Sequence, residues 1–379
     1  MTAREVPSAR TGERHLPPIR TGAADPGALR RAARDLPVRS GVVESSTVRR
    51  RPTIRDVAAT AGVSRGTVSR VLNGGHWVSP EALAAVQEAI RSTGYSANQH
   101  ARSLVTGRAN SVAFLLTEPQ HLLFEDPTFS ILLRAAAEAL TAREMPLLLM
   151  VAGTQQERRR ITEYVAAGHV DGVLLISSHR GNPVVGDLLR QGVPTIACGE
   201  PLGYEDRIGW VAADDHGGAR RMTEHLLAGG RTRVATITGP QDTPGGLRRL
   251  TGYREALGDA YDETLVAHGD YSRAGGTAAM RELLERRPDL DGVFVASDLM
   301  AAGAMTALRD AGRSVPGDVA VGGFDDSGLA ATLEPPLTTM RQPFERIAAE
   351  MVRLLLEVVE GAEPARITLP TSLVQRASA

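Results

Sequence analysis

Arg65, Thr67, Ser69, Arg70 and Asn73 lie, with Gly66, on one side of a short helical pattern whose other side is Val68, Val71 and Leu72. Guanidinium groups and short hydrogen-bonding side chains gathered on one face suit contact with phosphate oxygens and base edges. Such a face needs a support. Thr53 and Asp56 give the Thr-x-x-Asp spacing that starts a helix, and Ile54, Val57 and Ala58 form its inner side. That helix stops at Gly62, where a residue without a β-carbon lets the chain turn sharply. Ser64 can cap the next helix. Two helices joined this tightly make a helix-turn-helix, in which the second lies in the DNA major groove.

Taken alone, the two helices could be an ordinary hairpin with a polar surface. The residues beyond Gly74 argue otherwise. Ser79-Pro80-Glu81 is a helix start, and Leu83, Val86 and Ile90 carry a third helix to Gly94. The segment Tyr95-Ser96-Ala97-Asn98-Gln99-His100-Ala101-Arg102-Ser103-Leu104 comes next. With Asp-Val-Ala at 56–58, Ala-Gly-Val-Ser at 61–64 and Thr-Val-Ser-Arg-Val-Leu-Asn-Gly at 67–74, the chain resembles the lac-repressor (LacI/GalR) family of transcription regulators. The resemblance runs from Thr53 to about residue 375.

This resemblance implies a DNA-binding head over 51–97 and a hinge helix over 98–108. It also implies a homodimer on a near-palindromic double-stranded operator, each second helix reading half a site. Thr67, Ser69 and Asn73 would contact phosphates, while Arg65 and Arg70 are the candidates for guanine edges. Thr53, Ser64, Tyr95 and Asn98 belong to the same DNA-binding set. Leu104 would wedge into the minor groove and kink the duplex. Gly66 departs from the larger residue usual there, at a cost of roughly 1 kcal/mol of helix stability relative to Ala.

Composition is consistent with that division. Residues 1–110 hold 17 Arg against 8 acids, and the remainder 26 Arg against 36 acids. A basic front and an acidic body suit a nucleic-acid-binding protein. The chain has 379 residues, 42% of them apolar, enough for more than one core. A single cysteine, Cys198, excludes an internal disulfide and a thiolate-only zinc cluster. No apolar run reaches membrane-spanning length and no signal-peptide core is visible, so the expected location is the cytoplasm, with no membrane partner. Residues 1–50 lack helical or strand periodicity and are expected to be disordered. They are either a basic arm adding nonspecific DNA affinity or a dispensable extension ahead of the true start.

From Ser111 onward, short apolar runs alternate with helical patterns. Strands are expected near 112–116, 146–151, 172–176, 195–197, 234–238, 265–269, 292–295 and 319–323. Helices are expected near 129–143, 155–167, 183–191, 214–228, 246–257, 273–286, 298–311 and 343–360. Such alternation means parallel sheets covered on both faces, and eight strands suit two doubly wound sheets. The resemblance implies the periplasmic-binding-protein arrangement: an effector-binding and dimerisation body over 109–379, with a ligand between two lobes joined by three crossovers. Lobe one would be about 111–211 and 342–368, lobe two about 213–340 and 371–379.

An enzyme is disfavoured. No Walker or dinucleotide fingerprint follows a strand, the nine histidines are dispersed without HExxH, and Ser177-Ser178 lacks the Gly-x-Ser-x-Gly elbow. No catalytic residue, cofactor or metal is expected. The paired acids Asp214-Asp215 and Asp325-Asp326 could suggest acid–base chemistry, but the former pair reads as a helix cap. A sugar-binding protein that does not bind DNA would fit the body but not the front. For the cleft, the resemblance implies Arg249 as effector-binding arginine, Asp325 as acceptor and Gln342 as a further contact. Tyr271 and Phe129, with Thr128 beside it, would cover ring faces, and Ser178 and Ser297 follow cleft-edge strands. A charged donor, a carboxylate and aromatic faces suit a sugar or polyol. Gly199-Glu200 stands where many sugar-binding relatives carry Asp-Arg, so a purine-like or other small effector stays open.

Overall fold

The computed structural model describes residues 52–72, 77–95 and 108–379. Asn73, Asn98, Leu104, the expected extension over 1–50 and the expected hinge helix ahead of Arg108 lie outside the described residues. The chain divides into one unit through Ser96 and a second from Ala97 to Ala379. Among the described residues, no helix is long and apolar enough to cross a membrane.

The first unit is built from α1 (Ile54–Ala61), α2 (Arg65–Leu72) and α3 (Pro80–Thr93). The Asp56 carboxylate accepts from the Thr53 N–H at 2.7 Å and from its hydroxyl at 2.8 Å, which fixes the start of α1. Gly62 ends it at φ 65°, in the left-handed region a side chain rarely adopts. The Thr67 N–H donates to Ser64 Oγ at 3.1 Å, and Ser79 Oγ caps α3 by accepting from Ala82. Val57, Ala58, Val68, Val86 and Ala89 make a small core. Each helix is too short to persist alone, so this shared core holds the unit.

In the second unit, β1 (Val112–Leu116), a four-residue turn of helix α4 (Leu122–Glu125), α5 (Pro127–Thr141), β2 (Leu147–Val151), α6 (Gln155–Tyr164), β3 (Gly172–Ile176), α7 (Pro183–Arg190), β4 (Thr195–Cys198) and β5 (Gly209–Ala213) come first. The chain then runs through α8 (Asp215–Ala228), β6 (Val234–Thr238), α9 (Pro244–Leu257), β7 (Val266–His268), α10 (Arg273–Arg286), β8 (Gly292–Val295), α11 (Asp298–Asp310), β9 (Ala320–Asp325) and β10 (Thr338–Arg341). It closes with α12 (Phe344–Val359), β11 (Arg366–Leu369) and β12 (Ser372–Val374).

Two six-stranded sheets result, in the orders β11-β5-β4-β3-β1-β2 and β12-β10-β9-β8-β6-β7. All neighbours are parallel except β12, which runs antiparallel to β10. The chain passes from the first sheet's lobe to the second after β5, returns after β10, and crosses once more after β11.

Alternation inside the buried strands builds a core on each face. In β1, Val112, Phe114 and Leu116 pack with α5 and α12, while Ala113 and Leu115 pack with α7. In the second sheet, Val293 and Val295 face α10 and α11, whereas Phe294 turns the other way toward α8. A strand buried on both faces reads as a continuous apolar run. That is why β1 and β3 are visible in the sequence. The four strands without such a signal, β5, β10, β11 and β12, show the converse. Strands β11 and β12 lie at sheet edges and carry exposed residues. Strand β5 is built largely of small residues, and β10 carries two threonines that are fully buried.

Backbones approach closely between α10 and α11. A β-carbon on Gly276 would sit 2.2 Å from the Met300 carbonyl oxygen, and one on Gly303 2.0 Å from that of Arg273. Gly303→Ala is therefore expected to force the helices apart and cost about 1–3 kcal/mol in urea denaturation, the range for overpacking.

The helix-turn-helix face and the interlobe cleft

On α2, Arg65, Gly66 and Arg70 are exposed, whereas Thr67 and Ser69 are half-buried. The Thr67 hydroxyl lies 3.0 Å from Ser64 Oγ, so these two side chains also shape the helix start. A β-carbon on Gly66 would meet only Ser64 Oγ at 3.6 Å and Arg70 Nη2 at 3.9 Å, so the gap there is open. Tyr95 packs against the core of the unit and acts at least as a support for α3.

In the second unit, a cavity of about 180 Å³ opens between the two sheets. Its walls are loops at the carboxyl ends of the strands, where parallel α/β sheets bind ligands. All eight side chains expected around an effector, Thr128, Phe129, Ser178, Arg249, Tyr271, Ser297, Asp325 and Gln342, line it. Ser177 (φ 56°), Tyr271 (φ 66°) and Asp325 (φ 118°) hold positive φ without being glycine. Each such residue costs on the order of 1–3 kcal/mol, and such strain clusters at functional sites.

Arg249 organises the cleft. Its Nε donates to Asp215 Oδ1 at 2.8 Å, and its Nη1 donates to the Ala296 carbonyl at 2.5 Å and to Asp325 Oδ1 at 3.4 Å. Its guanidinium carbon lies 3.8 Å from the centre of the Phe324 ring. Burial opposes this charge, but Asp215 and Asp325 outweigh it and hold the guanidinium above its ordinary range. Asp325 accepts a second bond from Gln342 Nε2 at 2.7 Å. Burial leads in raising the Asp325 pKa; Arg249 opposes the rise while Asp298 and Asp126 add to it.

The remaining positions divide by what occupies their polar atoms. Ser297 Oγ accepts from the Met300 N–H at 3.2 Å and caps α11. Ser178 Oγ is buried without a hydrogen-bond partner. The Tyr271 hydroxyl sits 3.5 Å from Thr243 Oγ1, and burial moves its pKa up to about 12. Its ring lies against Gly239, where a β-carbon would come within 2.2 Å of it. Phe129 lines the cleft and also packs on the first lobe's core.

Sequence reading overlooked several cleft groups. Asp214 caps α8, accepting from the Gly217 N–H at 2.9 Å, while its neighbour Asp215 is the better partner of Arg249. Asp126 caps α5 by accepting from the Thr128 N–H at 2.9 Å and also lines the cleft, its pKa raised chiefly by burial. The doubled acids and an Asp-Pro helix start were the available signals. Glu200 does not reach into the cavity. It accepts from Arg248 Nε at 2.9 Å and Nη2 at 2.6 Å across the lobes.

A three-helix head with an exposed arginine-bearing second helix, followed by a two-lobed α/β body with a cleft at its strand ends, defines a DNA-binding transcriptional regulator. Residues 53–98 match the lacI family of bacterial regulatory proteins, and residues 223–379 match a periplasmic binding protein-like domain. The chain is 48% identical over 336 residues to the HTH-type transcriptional regulator CelR of Thermobifida fusca, across 87% of this chain and 99% of the relative. It is 33% identical over 333 residues to the ribose operon repressor of Escherichia coli strain K12, across 86% and 96%. A solved complex of CelR with cellobiose shares 46% identity at a TM-score of 0.70, covering 87% of this chain and 100% of that one. The lac repressor dimer bound to operator and the anti-inducer ONPF shares 25% identity at a TM-score of 0.77, covering 87% and 99%. The chain belongs to the lacI family.

Truncation of Arg249 would leave two carboxylates in the cleft without their counter-charge. The geometry predicts that Arg249→Ala loses about 3–5 kcal/mol in urea denaturation at pH 7. That loss should shrink as the pH falls, because a protonated carboxyl costs less to bury than a carboxylate.

Proposed function

We propose that the protein is a repressor acting as a homodimer on a near-palindromic operator, with its DNA affinity set by a neutral sugar or polyol in the interlobe cleft. Residues 51–97 would read the operator and 98–108 would form the hinge. The body from 109 would bind effector and dimerise, and the cytoplasm would be its place of work. The observation that carries the effector reading is Asp325, held by Arg249 and Gln342, in a cleft that Ser178 and Phe129 line from the facing lobe. A ligand rich in hydroxyls can donate to that carboxylate. Phe129 and Tyr271 supply the apolar surface that the faces of a sugar ring cover.

Charge narrows the class. The carboxylates Glu118, Asp126, Asp215, Asp270 and Asp325 line the cleft against one arginine and one histidine. An effector bearing phosphate or several carboxylates would meet net repulsion. The CelR relative, solved with cellobiose, makes that disaccharide the first ligand to test. Purine-like effectors fit less well, because the acceptor-rich wall offers few donors for ring nitrogens.

Calorimetry with cellobiose and a panel of neutral sugars is the direct test. Asp325→Ala should weaken binding about tenfold to a hundredfold, the value of a hydrogen bond to a charged group, while operator binding without effector persists. Wild-type affinity in that variant would place the effector elsewhere. On the DNA side, Arg70→Ala should cost about 1–3 kcal/mol on the cognate operator and relax preference at one position per half-site. Equal losses across operator variants would assign Arg70 to phosphate instead.

A further inference from the structure

The lobes also touch through an imidazole. His179, in the loop after β3, lies with Nε2 2.8 Å from Glu118 Oε1 and Nδ1 2.9 Å from Asp242 Oδ2. Glu118 follows β1 and belongs, like His179, to the first lobe. Asp242 follows β6 in the second. The Ser177 hydroxyl also donates to Glu118, and the Arg180 N–H donates to the Asp242 carbonyl oxygen at 2.7 Å. Both ends of the contact are therefore held in place. Glu118 and His179 line the cleft, whereas Asp242 stands outside its lining and is half exposed.

Both ring nitrogens face carboxylate oxygens, which only accept. An imidazole can satisfy both only by donating from both, and only the protonated ring does so. We propose that Glu118, His179 and Asp242 form a charged clasp that holds the second lobe closed over the bound effector, so that effector affinity follows the charge on His179. This rests on reading the cleft as the effector site.

Lobe opening would carry Asp242 away but leave Glu118 in place, since Glu118 and His179 share a lobe. The hydrogen bond to Glu118 leads in raising the His179 pKa to about 9; burial opposes it and Asp242 adds to it. Because this pKa is raised, the clasp is at full strength below the ordinary imidazole value and is lost as the pH rises through about 9. The charged groups facing the ring are Glu118 from the loop after β1 and Asp242 from the loop after β6, with Arg180 next to it in its own loop. The Glu200–Arg248 pair also crosses the lobes but contains no imidazole.

The test uses the full chain, with cellobiose calorimetry at pH 7 and pH 10 and an NMR titration of the histidine ring protons without ligand. The wild type should bind about threefold to fivefold more weakly at pH 10, the range expected for a partly exposed pair. Asp242→Asn should show that weakening already at pH 7, with little further loss at pH 10. Since Asp242 does not line the cleft, its effect reports closure rather than ligand contact. His179→Gln combined with Asp242→Asn should lose no more than His179→Gln alone. In the ligand-free titration His179 should change charge near pH 9, and at lower pH in Asp242→Asn. Wild-type affinity and pH profile in Asp242→Asn would overturn the clasp, as would a His179 that titrates like a free imidazole. If the wild type binds no cellobiose at either pH, that effector assignment fails, and the ligand-free titration alone decides the clasp.

Discussion

The body depends on one buried cation. Arg249 sits between Asp215, which opens α8, and Asp325, which ends β9, and it bonds the carbonyl of Ala296 beyond β8. A guanidinium taken out of water is tolerable only where carboxylates and carbonyls replace the solvent. Its planar fork lets one side chain tie three separate segments of the chain together while its flat face rests on Phe324. The cleft floor is therefore a preorganised set of polar atoms whose positions are fixed before any ligand arrives. An effector bound as proposed would meet in Asp325 an acceptor already aimed, with little reorganisation needed.

Strand polarity puts this cation where a ligand can reach it. In a parallel sheet every carboxyl end faces the same way, so the ends of β1, β3, β4, β6, β7, β8 and β9 open toward one space. Several of those turns hold non-glycine residues in left-handed backbone, including Tyr271 and Asp325. Strain of this kind persists only where surrounding contacts over-determine it. Gly239 beneath the Tyr271 ring and Gly246 against the Pro240 carbonyl are among those contacts, since each leaves room for no side chain at all.

Much of this was legible in the sequence, for different reasons at different places. The head was clearest, because Thr53, Asp56, Gly62, Ser79 and Gly94 are local signals whose meaning needs no tertiary context. Strands buried on both faces were visible as apolar runs. The edge strands β11 and β12 were not, because they are short and most of their residues are exposed or only half-buried. In the cleft, the resemblance supplied Arg249, Asp325 and Gln342 as candidates, but not their partners. Asp215 and Asp126 carried only weak local signals and Glu118 none, and only folding brings them beside Arg249 and His179. Glu200, conspicuous as a departure from relatives, turned out to bond Arg248 rather than to face the cavity.

The three passages of the chain between the lobes have a mechanical consequence. After β5, after β10 and after β11, the backbone runs from one sheet's lobe to the other within a few residues. A single strand would leave the lobes free to twist, slide and roll. Three side by side behave as a leaf spring, stiff to sliding and twisting and compliant mainly to bending about one axis. Whatever enters the cleft can then alter essentially one angle, and a molecule that reports through one angle delivers a graded chemical input as a single displacement.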